Sequence, residues 1–283
     1  MIYDGMLLRS ASPINPMQDI DLAAYDRFKS AFHKWIISSK LGVKGLPGQR
    51  VLVSGMTDAF NQTYALYDNI GVFDGEYGYH QLAIGDRVTT DLSAADAIIL
   101  SHPFSADGMS SHDKLKIADS FNKPIFVDCA FLGICDNVSF DLTPYKNIRT
   151  VGFSLSKTFG SGRRRIGMLY TSDHYPALVY EKWSYPFVAG AEHHYDLISK
   201  IGPDHMFEKY RPHQLAICAD LGLEPSDTVI FGIDRHGNYP DYQRGQVNRV
   251  CISLALRNKN KQLNREGNTS IGAMFKAASG GQL

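Results

Sequence analysis

Apolar residues recur at Leu22, Tyr25, Phe28, Phe32, Trp35 and Ile36 within residues 20–39, the three-and-four spacing of an amphipathic helix, and Gly42 beyond them is a natural stop. The pattern then changes. Short apolar segments follow at 51–53, 70–73, 97–100, 125–127, 150–153 and 166–170, with a weaker one at 87–90. Several are near-continuous rather than alternating, as strands covered on both faces should be. Helix-like stretches at 57–68 and 111–121 lie between them. Strands and helices that alternate in this way predict an α/β fold with a seven-stranded, mostly parallel sheet.

Beyond about residue 173 the texture shifts. Residues 174–225 read as helical and rich in aromatics, and 228–233 and 250–256 read as strands. A last helix is expected in part of 262–278, weakened by Gly267 and Gly272. This predicts a smaller α+β C-terminal domain beside the large one. The expected division is a large domain over 45–175 and a small domain made from 1–44 together with 176–283.

Composition narrows the partners. Charged residues make up 20% of the chain and the 29 basic side chains match the 29 acidic ones, so there is no broad electrostatic pull toward nucleic acid or an anionic membrane. No apolar run approaches the roughly 20 residues that span a bilayer. The start, MIYDGMLLRSASP, lacks a basic stretch followed by an apolar one, so a cytoplasmic protein is expected. Cys129, Cys135, Cys218 and Cys251 are scattered without a CxxC pair. No zinc spacing results, and reduced, buried thiols are expected.

Four segments carry candidate chemistry. In GFSLSKTFGSGRRRIG (152–167), one lysine, Lys157, follows an apolar strand and precedes a glycine-rich turn and three arginines. A lysine at a strand end is open to desolvation, which frees the neutral amine for Schiff-base chemistry. Arg165 is placed to return to the same point and grip a phosphate. On local composition alone the segment also reads as a solvated loop. In PIFVDCAF (124–131), Asp128 ends an apolar strand. There it either meets a cation or lies at the carboxyl edge of the sheet, or else caps a helix or faces solvent. VLVSGMTDAF (51–60) is a strand entering a turn that opens a helix, which suits a phosphate. It is neither a P-loop nor a dinucleotide turn. Glu76-Tyr77-Gly78-Tyr79 supplies an aromatic for a flat ring, or for the core.

In this order the segments resemble the fold-type I enzymes dependent on pyridoxal 5'-phosphate (PLP), and their class I/II aminotransferase branch in particular. The lysine motif of that family is similar to Ser154-Leu155-Ser156-Lys157-Thr158-Phe159-Gly160 with Arg165-Ile166-Gly167, its D-x-A-Y strand to Asp128-Cys129-Ala130-Phe131, and its G-x-T-E-A turn to Gly55-Met56-Thr57-Asp58-Ala59. The match is good over 50–170 and faint beyond. The resemblance implies a Schiff base on Lys157, which also shuttles the α-proton, and Asp128 on the pyridine nitrogen. It implies the Met56 and Thr57 N–H groups with Ser154, Ser156 and Arg165 on the phosphate, and Tyr77 on the ring. Arg249, in Asn248-Arg249-Val250-Cys251, is similar to the arginine that grips a substrate α-carboxylate, with Arg244 as a competitor and a surface arginine as the plain alternative.

Departures from the family are equally specific. Phe131 replaces a tyrosine, and 101–108 (SHPFSADG) replaces N-P-x-N-P-T-G and its asparagine. The stretch before the phosphate turn is also short for the family. The resemblance implies an aminotransferase acting on a small amino acid or oxo acid, and a homodimer with the active site at the subunit interface. The alternatives are a lyase, decarboxylase or cyclase on the same scaffold, a PLP-binding regulator without turnover, and a nicotinamide-binding domain, which the absence of GxGxxG after the first strand disfavours.

Overall fold

The continuous apolar runs are strands buried on both faces. The computed structural model describes residues 22–161, 165–179 and 188–258. Its main sheet is built from β1 (Gln49–Val53), β2 (Ile70–Gly71), β3 (Val88–Thr89), β4 (Ala97–Ser101), β5 (Ile125–Asp128), β6 (Ile148–Ser154) and β7 (Gly167–Thr171). The order across the sheet is β1-β7-β6-β5-β4-β2-β3. Strand β7 runs antiparallel to both its neighbours, and every other pairing is parallel. This is the mostly parallel seven-stranded sheet that the pattern predicts.

Successive side chains go to opposite faces of a strand. Leu52, Ile98, Leu100, Val127, Val151 and Met168 join a core on one face, and Val51, Val53, Ile99, Phe126 and Leu169 join a second core on the other. Helix α1 (Leu22–Ile37) covers the first face through Tyr25, Phe28, Phe32, Trp35 and Ile36. Helix α2 (Met56–Leu66) covers the second through Met56, Ala59, Phe60 and Tyr64. Each large apolar side chain so buried contributes about 1.5–3 kcal/mol, so the sheet is clamped between these helices. Helices α3 (Tyr79–Ile84), α4 (His112–Ser120) and α5 (Leu155–Thr158) fill the connections.

The C-terminal part holds α6 (Val188–Lys200), α7 (His205–Leu221) and an antiparallel sheet of β8 (Glu224–Pro225), β9 (Phe231–Asp234), β10 (Gln243–Arg244) and β11 (Val247–Cys251), ordered β10-β11-β9-β8. Two strand expectations need correction here. Residues 228–230 form a turn, closed by Phe231 N–H donating to Thr228 O at 3.0 Å, and the strand starts only at Phe231. The expected strand 250–256 ends at Cys251, which is exposed while the other three cysteines are buried as expected, and the chain is helical over 253–258. Its buried residues are Val250, Ile252 and Leu256 while Leu254 is exposed. The step from 252 to 256 is one helical turn, which a two-residue period does not describe. The helix expected within 262–278 lies outside the described residues.

Hydrogen bonds fasten the turn between β8 and β9 to the loops that follow β4 and β5. Ser226 Oγ donates to Asp107 O at 2.6 Å and Thr228 Oγ1 to Gly108 O at 2.8 Å. Val229 N–H donates to Ile134 O at 2.8 Å. Among the described residues no helix is long and apolar enough to cross a membrane.

Candidate active site

All six parallel strands point their carboxyl ends at one edge of the sheet, where ligands bind in open α/β folds. A cavity of about 190 Å³ lies there, roofed by Phe231, Arg244, Arg249 and Cys251 of the second sheet. Its lining brings together every sequence-predicted site residue: Met56, Thr57, Tyr77, Asp128, Ser154, Ser156, Lys157, Arg165 and Arg249.

One wall is suited to an anion. The chain leaves β1 through Gly55, whose φ of 76° only glycine adopts without strain. Helix α2 then begins with no side-chain cap, so the Met56 and Thr57 N–H groups have no acceptor within the helix. Arg165 Nη2 donates to Thr57 Oγ1 at 2.9 Å. Asp58 in the same turn is held back by Ser54 N–H at 2.8 Å and Gln62 Nε2 at 3.0 Å. From the end of β6, Ser154 Oγ accepts from Ser156 N–H at 3.3 Å. Ser156 Oγ is buried and has no hydrogen-bond partner. Gly152 lies beneath, where a Cβ would sit 2.6 Å from Met56 Sδ and would push that side chain aside.

Lys157 sits in the last turn of the short α5 and forms no salt bridge with any described residue. Asp128, at the end of β5, is 8% exposed and likewise has no salt bridge among the described residues. Its Oδ1 accepts from Ala130 N–H at 2.9 Å. Burial, and then the charge of Glu76, push its pKa up to about 7, against the pull of the Ala130 N–H and of Lys157. A carboxyl so placed is set up to take a cation.

Arg249 lies with its guanidinium 4.1 Å from the centre of the Phe231 ring. One of its Nη1 protons goes to Ser105 O, and its Nε is buried without a partner. Burial, and then the neighbouring Arg244, lower its pKa to about 10. An anion between the two arginines would offset both effects. Phe131 packs edge-on against Phe231 at 5.4 Å and offers the cavity no donor. Tyr77 is 39% exposed and stacks with Tyr79 at 6.1 Å.

Sequence reasoning missed Ser101 and Phe231 as wall residues and gave Glu76 no role. The signal for Ser101 was present: it ends a buried run, AIILS, as Asp128 ends IFVD. Among the described residues no group of three His, Cys, Asp or Glu side chains is placed to hold a metal ion.

No protein-family model matches the sequence, and no curated protein matches it. Solved structures do match in fold. A probable N-succinyldiaminopimelate aminotransferase from Thermus thermophilus is 12% identical, over 83% of this chain and 82% of that one, with a TM-score of 0.63. A PLP-bound C-S lyase from Staphylococcus hominis is 11% identical over 74% and 66%, with a TM-score of 0.55. An L-threonine-O-3-phosphate decarboxylase from Porphyromonas gingivalis is 13% identical over 84% and 88%, with a TM-score of 0.53. The chain has the fold-type I, class I/II aminotransferase-like fold that its motifs imply.

Proposed function

We propose that the chain is a PLP-dependent enzyme of amino-acid chemistry, and that its reaction is transfer of an amino group between a small amino acid and an oxo acid. The observation that carries this reading is the meeting in one cavity of a lysine and a buried carboxyl, neither of them in a salt bridge with a described residue, and an uncapped helix start backed by Arg165. The residues present fit the cofactor. The Met56 and Thr57 N–H groups, Arg165, Ser154 and the unpartnered Ser156 Oγ would hold the phosphate. Asp128 would pair with the ring nitrogen, Tyr77 would lie on the ring and Lys157 would form the covalent link. When bound, the cofactor supplies an electron sink next to the substrate α-carbon. With its amine free, Lys157 would be the base that takes the proton from that carbon. Arg249 orients the substrate through its α-carboxylate. The second sheet, which roofs the cavity, limits the access of water to the reacting atoms.

One feature favours a second reading, elimination or decarboxylation on the same scaffold. Phe131 leaves the cofactor's phenolic oxygen without the tyrosine partner of the aminotransferase pattern, and the fold is shared with a C-S lyase and a decarboxylase. The purified protein, loaded with PLP and given a panel of amino acids, separates the readings. Release of the matching oxo acid with loss of the yellow cofactor band is the outcome expected of transamination. Ammonia or carbon dioxide release without it overturns that reading in favour of the second. The same proposal makes the protein a cytoplasmic homodimer, and sedimentation of the purified protein as a monomer would contradict the dimer.

A further inference from the structure

Asp128 is not alone at the cavity floor. It ends β5 directly opposite Ser101, which ends β4. Partners in register on parallel strands turn their side chains to the same face, about 4.8 Å apart. The Ser101 hydroxyl is bound by a second buried carboxylate, Glu76, which is also 8% exposed. Glu76 Oε2 accepts from Ser101 N–H at 2.8 Å, and Oε1 accepts from Ser101 O–H and from Tyr77 N–H at 2.8 Å. Two buried carboxyl groups are therefore linked through Ser101, which stands one strand spacing from Asp128 and is bound by Glu76, and the charge of Glu76 acts on Asp128. Nothing in the reading of the cofactor site gives Glu76 a part.

The donors decide which of the pair is ionised. Glu76 accepts three hydrogen bonds, two of them from backbone N–H groups that can only donate and one from the Ser101 hydroxyl, and such donors favour a carboxylate. Asp128 accepts one, from Ala130 N–H. Burial raises the pKa of both, but for Glu76 the Ser101 hydroxyl and N–H, the Tyr77 N–H and the charge of Arg244 oppose the rise. The charged or titratable groups facing Asp128 are Glu76, Lys157 and the buried Cys129 thiol. Arg165 and Arg249 stand further round the same cavity. Like charges this close do not both ionise in a buried site without a cation between them.

We propose that Glu76 is a positioning residue that acts through Asp128: it is the fixed anion of a two-carboxylate device in which Asp128 keeps its proton until a cation enters the cavity. Entry of a singly charged cation lets Asp128 ionise, and the proton leaves for solvent, so charge and protons balance. Under the proposed cofactor reading that cation is a protonated ring nitrogen. The pair itself stands independently of that reading. Glu76 also accepts from the Tyr77 N–H through the same carboxylate, which ties the segment carrying that aromatic to the end of β4.

The test follows the Asp128 carboxyl by carbon-13 NMR in protein labelled at aspartate and free of cofactor, with Asp128→Asn identifying the signal. In the wild type it should titrate near neutral pH. In Glu76→Gln, which keeps an acceptor for Ser101 and Tyr77, it should titrate lower by on the order of one pH unit or more. Ser101→Ala, a milder change that removes one donor from Glu76, should lower it in the same direction by less. An unchanged titration in Glu76→Gln that folds, or in Ser101→Ala if the first variant does not fold, overturns the proposal and leaves Glu76 a loop anchor. Added PLP should release a proton near neutral pH from the wild type and markedly less from Glu76→Gln. If the NMR shift is present and PLP fails to bind, the carboxylate pair holds and the cofactor reading is what fails.

Discussion

Two polar centres lie one residue apart at the end of β4, and they follow opposite rules. His102 is fully buried, yet both ring nitrogens are matched, Nδ1 by Ser111 Oγ and Nε2 by Ser139 O, each at 2.8 Å. His112 beside it pairs with Tyr145 Oη at 2.6 Å and with the same Ser139 O at 2.8 Å. The His102 partners suit a neutral ring, and burial lowers its pKa to about 4. Ser101, the residue before, serves the cavity side, where buried Asp128 is in no salt bridge among the described residues and Ser156 Oγ and Arg249 Nε are buried without hydrogen-bond partners. A buried polar group left unsatisfied costs about 1–3 kcal/mol. Around His102 the chain satisfies its own buried groups, and in the cavity it leaves Ser156 Oγ and Arg249 Nε open to a ligand.

The largest effect that would sharpen this contrast is at the cavity. Lys157→Ala should reduce turnover by several orders of magnitude, since one side chain supplies both the covalent link and the proton shuttle. Steady-state kinetics with the best amino acid of the panel checks it. Asp128→Asn should still bind PLP but lower the single-turnover rate of α-proton loss by roughly 10²–10³, the equivalent of losing a buried charge partner. Arg249→Ala should weaken carboxylate-bearing substrates by about 2–4 kcal/mol and leave plain amines nearly unaffected. Equal effects on both classes would move that role to Arg244 or to structure.

The His102 side should respond differently. His102→Ala should cost about 1–3 kcal/mol of folding stability, measured by urea unfolding, while PLP affinity changes less than about twofold. If cofactor affinity fell as far as stability, the two centres would not be separable. Acid and base limbs should separate them as well. Burial depresses the folded pKa of His80 and His102 to about 4, below the ordinary 6.5, so their contribution to stability is lost as pH falls through that window. Asp128 is raised instead, so in the cofactor-free protein its contribution is lost as pH rises from about 4 to about 7. Melting temperatures across pH should show Asp128→Asn flattening the neutral limb and His102→Ala the acid one.

Much of this was legible in the chain. Strands sealed on both faces leave runs such as AIIL and IFV, whose period needs no tertiary knowledge. The lysine, the strand-end aspartate and the phosphate turn were legible because each lies on a local motif with a fixed offset. Glu76 was passed over because its partner is Ser101 and its effect falls on Asp128, and only strand register brings those three together. The strand-to-helix change at Cys251 was hidden for a related reason. Val250, Ile252 and Leu256 are all buried, and a run of apolar residues that short does not declare its own period.

Everything proposed for the cavity depends on Lys157 as the point where the cofactor joins the chain. Borohydride reduction of the PLP-loaded protein, followed by peptide mapping with mass spectrometry, tests this most directly. The expected result is a single pyridoxyl label on the peptide carrying Ser154–Phe159, at Lys157, and none in Lys157→Ala. A label on another lysine, or no stable label in protein that has turned yellow with PLP, would contradict it.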